Sequence, residues 1–282
     1  MSNYLIPKGY SDYIPAESKL NSQVLNVLST CYESNGFSLI TTPTVEFFSS
    51  LEVAMAPTLR QQSVKFLDTH GQLVTLRPDH TVPIARIVAT RMKAEPLPLK
   101  LYYQSPIFRQ NNQNNGHDIE TFQSGLEYIG DATINAEISL LTTCIEALSQ
   151  SGLNHFHIDI GHTDFIHDLA DHQQAALLNG DYLSLGYIPD RGNIDIVGEH
   201  AQLQALHQQL TQLKLNDYVT YNKGLVKGLH YYTGILFEIY TQDTKQVIAS
   251  GGRYDTLLNQ FGYNQPAVGL AFNLSLLLEQ LS

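Results

Sequence analysis

The 282-residue chain has two cysteines, a shortage of basic residues and no long apolar run. Each shortage excludes something. Cys31 and Cys144 lie far apart and match no metal-binding spacing. Two thiols cannot build a disulfide framework, so a reducing cytoplasm is the expected compartment. No metal and no cofactor are expected. No stretch approaches the ~18 to 20 apolar residues that span a bilayer, and "MSNYLIPKGY" lacks the basic, apolar and small-residue order of a signal peptide. The chain therefore reads as soluble and cytoplasmic, with no membrane partner. Lys and Arg total 16 against 27 Asp and Glu, a net charge of −11. Phosphate neutralisation supplies most non-specific nucleic-acid affinity, so nucleic acid is not an expected partner.

What is present is globular: 43% hydrophobic and 15% charged residues, in a chain long enough for one large domain or a domain with a small insertion. Leu20, Val24, Leu28 and Cys31 recur at helical steps and predict a helix over 16–35, stopped by Gly36. "FSLITTPTVEF" predicts a strand leading into Pro43. "VKFLDTHGQLVTLRPD" predicts a hairpin, and "TVPIARIVATRM" a helix with Pro83 in its first turn. "LKLYYQSPIFRQ" and "ETFQSGLEYIG" predict two strands flanking "NNQNNGHDI"; a helix over 132–150 and the strand "HFHIDIG" follow. Residues 163–215 read as a mainly helical inserted subdomain. Strand character returns at "YVTYN" and "KQVIAS". Gly251 and Gly252 then suggest a bulge or turn before a helix over 253–261. "PAVGLAFN" and a final helix complete an α+β chain with a mostly antiparallel sheet.

"LVKGLHYYTGILFEIY" raises the functional question. It reads as a strand, yet carries Lys227, His230, Tyr231 and Tyr232. Alone, the stretch is ambiguous: alternation turns one tyrosine toward the core, and a lysine near a strand start is ordinarily solvated. Gln123 and Glu127, within an apolar strand, are harder to assign to packing, because buried polar groups need partners.

Six segments in order carry a resemblance: "GYSDYIP" with the helix after it, "FSLITTPTVE", "LRPDHTVPIAR", "SPIFRQ…TFQSGLEYIG", "LVKGLHYYTG" and "GGRYDTLLNQFG…PAVGLAFN". Together they resemble class II histidyl-tRNA synthetases over nearly the whole chain. The resemblance implies a class II antiparallel sheet flanked by helices, with homodimerisation around Pro43. An anticodon-binding domain is not expected, because the sequence ends just after the third class motif. It also implies a histidine site. Asp79 and Thr81 would meet the α-amino group, Gln123 the backbone end, and Glu127 the imidazole. Tyr232, beside Tyr231, would reach the far imidazole nitrogen, Lys227 the carboxylate, and Tyr254 would close the pocket. Arg109 is retained from the second motif. Free histidine presents an ammonium, a carboxylate and two ring nitrogens, and this set supplies their complements.

The ATP half departs from the synthetase pattern. Asn111 and His117 stand where an acid and a base are expected. Ser275 and Leu276 align with an acid and an adenine-stacking Arg, and Lys227 replaces an Arg whose fork it cannot reproduce. Lost cations remove the electrostatic stabilisation that adenylation needs. The pattern resembles the regulatory subunits of ATP phosphoribosyltransferase, which implies no catalytic residue, a short-form catalytic subunit as partner in a hetero-oligomer, and L-histidine as feedback ligand. The alternatives are a catalytic fragment of a histidyl-tRNA synthetase, or an interaction scaffold that binds no ligand.

Overall fold

Alternating strands with one face buried under helices account for most of the molecule. The structure is a computed structural model that describes residues 6–110, 118–167, 169–178, 181–225, 231–241 and 246–281. Its strands are β1 (Ser38–Leu39), β2 (Val45–Phe47), β3 (Lys65–Leu67), β4 (Leu73–Leu76), β5 (Leu99–Phe108), β6 (Glu120–Ile129), β7 (Phe156–His162), β8 (Arg191–Gly192), β9 (Val219–Asn222), β10 (Ile235–Thr241), β11 (Val247–Arg253) and β12 (Ala267–Asn273). Among the described residues, nine of these form one sheet in the order β1-β5-β6-β12-β11-β10-β7-β9-β8. Its pairs are antiparallel except β1 with β5 and β7 with β9. The mostly antiparallel α+β architecture expected from the sequence is what is found.

One face of the sheet is dry. Leu126 of β6, Ile158 and Ile160 of β7, Phe237 and Ile239 of β10 and Phe272 of β12 are buried there. They pack under helices α1 (Pro15–Ser34) and α5 (Asn135–Gln150). The period of two sends the intervening residues to the opposite face. That face is partly covered by a second core, in which Leu51 of α2 (Phe48–Glu52) and Val82, Ala85 and Val88 of α4 (Thr81–Arg91) meet Leu101, Ile129 and Tyr254. The short helix α3 (Pro57–Gln62) follows α2.

The expected hairpin is β3–β4, and the expected helix at 81–91 is α4. The single strand expected to lead into Pro43 is divided. Ile40 still donates its N–H to the Tyr102 carbonyl (2.9 Å) beside β5, whereas β2 joins β4 and β3 in a separate small sheet. Proline has no N–H with which to continue a ladder. Gly251 and Gly252 are neither turn nor bulge but central in β11. A Cβ at Gly251 would lie 2.1 Å from the Gly269 carbonyl oxygen, so the neighbouring strand approaches where no side chain fits. The helix expected over 253–261 shrinks to a 3-10 turn, Leu258–Phe261, because β11 runs on through Arg253.

The 163–215 segment holds α6 (Asp164–His167), α7 (Asp171–Leu178), α8 (Tyr182–Leu185) and α9 (Ala201–Gln212). Its two halves pack differently. Ile166, Ala176, Leu177 and Leu185 form a small core of their own, whereas Leu203, Leu206 and Leu210 of α9 join the main core. The last helix, α10 (Leu274–Glu279), begins where the Asn273 side chain accepts the N–H of Leu276.

Candidate functional site

A cavity of about 610 Å³ opens on the less covered face of the sheet. Its floor follows from residue size. The pairing register aligns Leu236, Gly252, Gly269 and Glu127 in one row across β10, β11, β12 and β6. In the next row Ala271 stands between Ser250 and Gly125. Small residues in both rows leave room that larger side chains would fill. Ala56, Thr58 and Leu59 wall one side, and Ala175 and Leu178 of α7 another.

Of the residues singled out from the sequence, Asp79, Thr81, Arg109, Gln123, Tyr231 and Tyr232 line this cavity. They come from the start of α4 and the turn before it, the residue after β5, the strand β6 and the residues before β10, so only folding brings them together. Asp79 accepts the backbone N–H of Val82 in the first turn of α4 (3.1 Å). Burial raises its pKa, against the opposing charge of Arg109 and that N–H bond. Arg109 is held in turn by donating Nε–H to the Pro78 carbonyl (2.6 Å).

Glu127 and Tyr254 occupy a different place: neither is among the cavity-lining residues. Glu127 is 1% exposed and its carboxylate lies over Gly269, where a Cβ would come within 2.0 Å of its Oε2. Its Oε1 accepts the hydroxyl of Thr81 (2.7 Å) and its Oε2 the hydroxyl of Tyr254. Glu127 thus ties a cavity-lining hydroxyl to a buried phenol. Burial pushes its carboxyl up to about 8, with Asp79 adding and the two hydroxyl bonds opposing. Tyr254 is placed by its neighbour Arg253, whose Nε and a terminal nitrogen both donate to the Glu137 carboxylate at 2.6 Å. This buried ion pair pins the end of β11 to α5.

Tyr231 and Tyr232 do not alternate on a strand, as the sequence suggested. They precede β10, and both face the cavity, their rings 4.8 Å apart. Tyr231 also stacks on Tyr254 at 5.3 Å. Lys227 and His230, like Asn111 and His117, lie outside the described residues. Ser275 and Leu276 are on α10, and Leu276 packs against the main core rather than lining the cavity.

Two lining residues were missed in the sequence. His80 is buried and stacked on Tyr103 (4.2 Å), with Nε2 donating to the Ser105 carbonyl (3.1 Å). Burial, reinforced by Arg77 and Arg109 and opposed by that bond, depresses its pKa to about 3, so it is a neutral ring. Glu238, on β10, accepts the Tyr240 hydroxyl. A charged residue inside "GILFEIY" was the available signal for Glu238. For His80 there was none beyond its place between Asp79 and Thr81. Asp79 and Glu238, set against Arg109, give the cavity an acidic bias suited to a ligand with a cationic end.

Nine strands in this order, and a small-floored cavity at their centre, define a histidyl-tRNA synthetase-type core. The family model described as histidyl-tRNA synthetase matches residues 9–182 and 191–277. The ATP phosphoribosyltransferase regulatory subunit of Clostridium acetobutylicum is 32% identical, over 98% of this chain and 78% of that protein. That of Bacillus pumilus is 31% identical, over 98% and 81%. The solved ATP phosphoribosyltransferase regulatory subunit/histidyl-tRNA synthetase from Bacillus halodurans C superposes with a TM-score of 0.89 at 28% identity, over 100% of this chain and 84% of that one. The chain belongs to the histidyl-tRNA synthetase-like family of ATP phosphoribosyltransferase regulatory subunits.

Proposed function

We propose that this chain is a non-catalytic subunit that assembles with a short-form ATP phosphoribosyltransferase catalytic subunit, raises its turnover and relays inhibition by L-histidine, the end product of that biosynthesis. One observation carries the reading. Residues expected on the amino-acid side converge on one cavity, whereas Leu276, at the position of the adenine-stacking Arg, is half-buried against the main core and lines no part of that cavity.

In this reading the histidine ammonium meets Asp79 and Thr81, and Gln123 reaches the backbone end. Arg109 and Lys227 attract the carboxylate, and Tyr232 with Tyr231 brackets the ring. Glu127 acts through Thr81 and Tyr254, with its proton adjustable near neutral pH. An arginine retained alone does not hold a triphosphate in the orientation adenylation needs. Exposed Val45, Phe47, Phe66, Leu67 and Leu73 on and beside the β2–β4–β3 sheet support homodimerisation around Pro43 within the hetero-oligomer.

The test mixes the purified chain with a short catalytic subunit. Assembly is followed by light scattering, and phosphoribosyl transfer to ATP with and without histidine. The expected result is a complex whose turnover exceeds that of the catalytic subunit alone and falls when histidine is added. Absence of a complex, or a turnover indifferent to the added chain, refutes the proposal. ATP–pyrophosphate exchange dependent on histidine would favour a synthetase instead.

A further inference from the structure

Away from the cavity, three side chains with metal-ligating atoms meet where the main sheet passes into the inserted helices. His162 ends β7, Asp164 opens α6, and His200 sits at the N-cap of α9. One ligand atom from each lies within 4.8 Å of the others. Nδ1 of His162 is 3.4 Å from Oδ2 of Asp164, and Nε2 of His200 is 3.3 Å from the same oxygen. We infer that this His162–Asp164–His200 cluster is a binding site for a divalent transition cation of the zinc class.

The two ligand-atom separations to Asp164 are those of a coordination shell. With bonds of about 2.0–2.1 Å in a tetrahedral site, neighbouring ligand atoms stand about 3.3–3.4 Å apart. The donor set, two imidazoles and a carboxylate, suits zinc rather than the all-oxygen preference of calcium or magnesium. The outer contacts also fit. Nε2 of His162 lies 2.6 Å from Oε1 of Gln202, which fixes the proton on Nε2 and leaves the Nδ1 lone pair facing Asp164 and His200. His162 is 4% exposed and Asp164 59%, so the cluster has a rigid buried side and an entry side. His167, whose Nδ1 is 4.0 Å from Oδ1 of Asp164, flanks that open side.

Two local hydrogen bonds compete with the cation. The Asp164 N–H donates to His162 Nδ1 (3.1 Å), and the Leu203 N–H to His200 Nδ1 at a long 3.4 Å. Binding replaces the Asp164 N–H contact by a metal bond at His162 Nδ1; it also moves the His200 proton from Nε2 to Nδ1, which gives up the Leu203 N–H contact there. Such a cation would clamp the end of β7 and the start of α6 to α9, joining the main core to the inserted helices.

The experiment uses the full chain, stripped with a chelator. Zn²⁺ is titrated by calorimetry, and Co²⁺ by the visible absorption of its tetrahedral complexes. Asp164→Asn removes the charged ligand at an exposed position. His200→Asn removes the imidazole but keeps a good N-cap residue. The wild type should bind one equivalent and gain thermal stability, and both variants should bind at least about tenfold more weakly and gain none. Gln202→Ala should weaken binding by roughly 10-fold or more, the loss typical of a removed outer-shell partner. Absence of stoichiometric binding, or undiminished binding in both Asp164→Asn and His200→Asn, would reduce the cluster to a polar clip and overturn the inference.

Discussion

Raising the pH through neutrality should destabilise this protein through Glu127. Its carboxyl has a folded-state pKa of about 8, against about 4.3 for an unperturbed glutamate. Between those values the folded state holds a proton that the unfolded state has released. Stability from this group is therefore complete below the unfolded pKa, and is lost as pH rises toward the folded one. Each pH unit in the window is worth at most about 1.4 kcal/mol, so the loss between pH 6 and 8 is about 2 kcal/mol. Other groups titrate as well: Asp79 is raised, and His80 and His157 are lowered. Glu127→Gln isolates the Glu127 contribution, because it keeps the shape and cannot ionise. Near pH 6 the variant gives up about one net hydrogen bond, roughly 0.5–1.5 kcal/mol, since an amide can still accept from Thr81 or Tyr254. Near pH 8 it escapes the charging penalty and should equal or exceed the wild type. Urea melts of both proteins from pH 5.5 to 8.5 measure the difference directly. Parallel stability curves that never converge would show that Glu127 is ionised throughout, and the account of its burial would be wrong.

Arg253→Met should cost about 3–5 kcal/mol in urea denaturation, because it leaves the Glu137 carboxylate buried and unpaired. The double variant Arg253→Met/Glu137→Leu should recover part of that loss; a double variant as unstable as the sum of the single ones would contradict the desolvation argument. Leu276→Arg should not restore histidine-dependent ATP–pyrophosphate exchange, since groups that act together are not recovered singly. Robust exchange by this one variant would mean that the remaining ATP-site losses matter little.

Much of this protein can be read from residue order alone. The hairpin at 65–76, the helix at 81–91 and the paired strands around 99–129 are local patterns, set by side-chain period and turn chemistry. So was the suspicion attached to Glu127, a carboxylate among apolar neighbours. Pattern does not tell what lies across a strand. That Gly252, Gly269 and Glu127 share one row depends on the register of β11, β12 and β6, segments far apart in the chain. The same register lays the Glu127 carboxylate over Gly269, where Thr81 and Tyr254 cap it. A residue expected to grip a ligand is thereby seen to be held by Thr81 and Tyr254. His80 and Glu238 entered the cavity lining for the same reason. The trio His162, Asp164 and His200 shows no motif spacing, because its last member arrives on a helix 36 residues after Asp164. Periodicity decides which face a side chain takes; only the packed chain decides which faces meet.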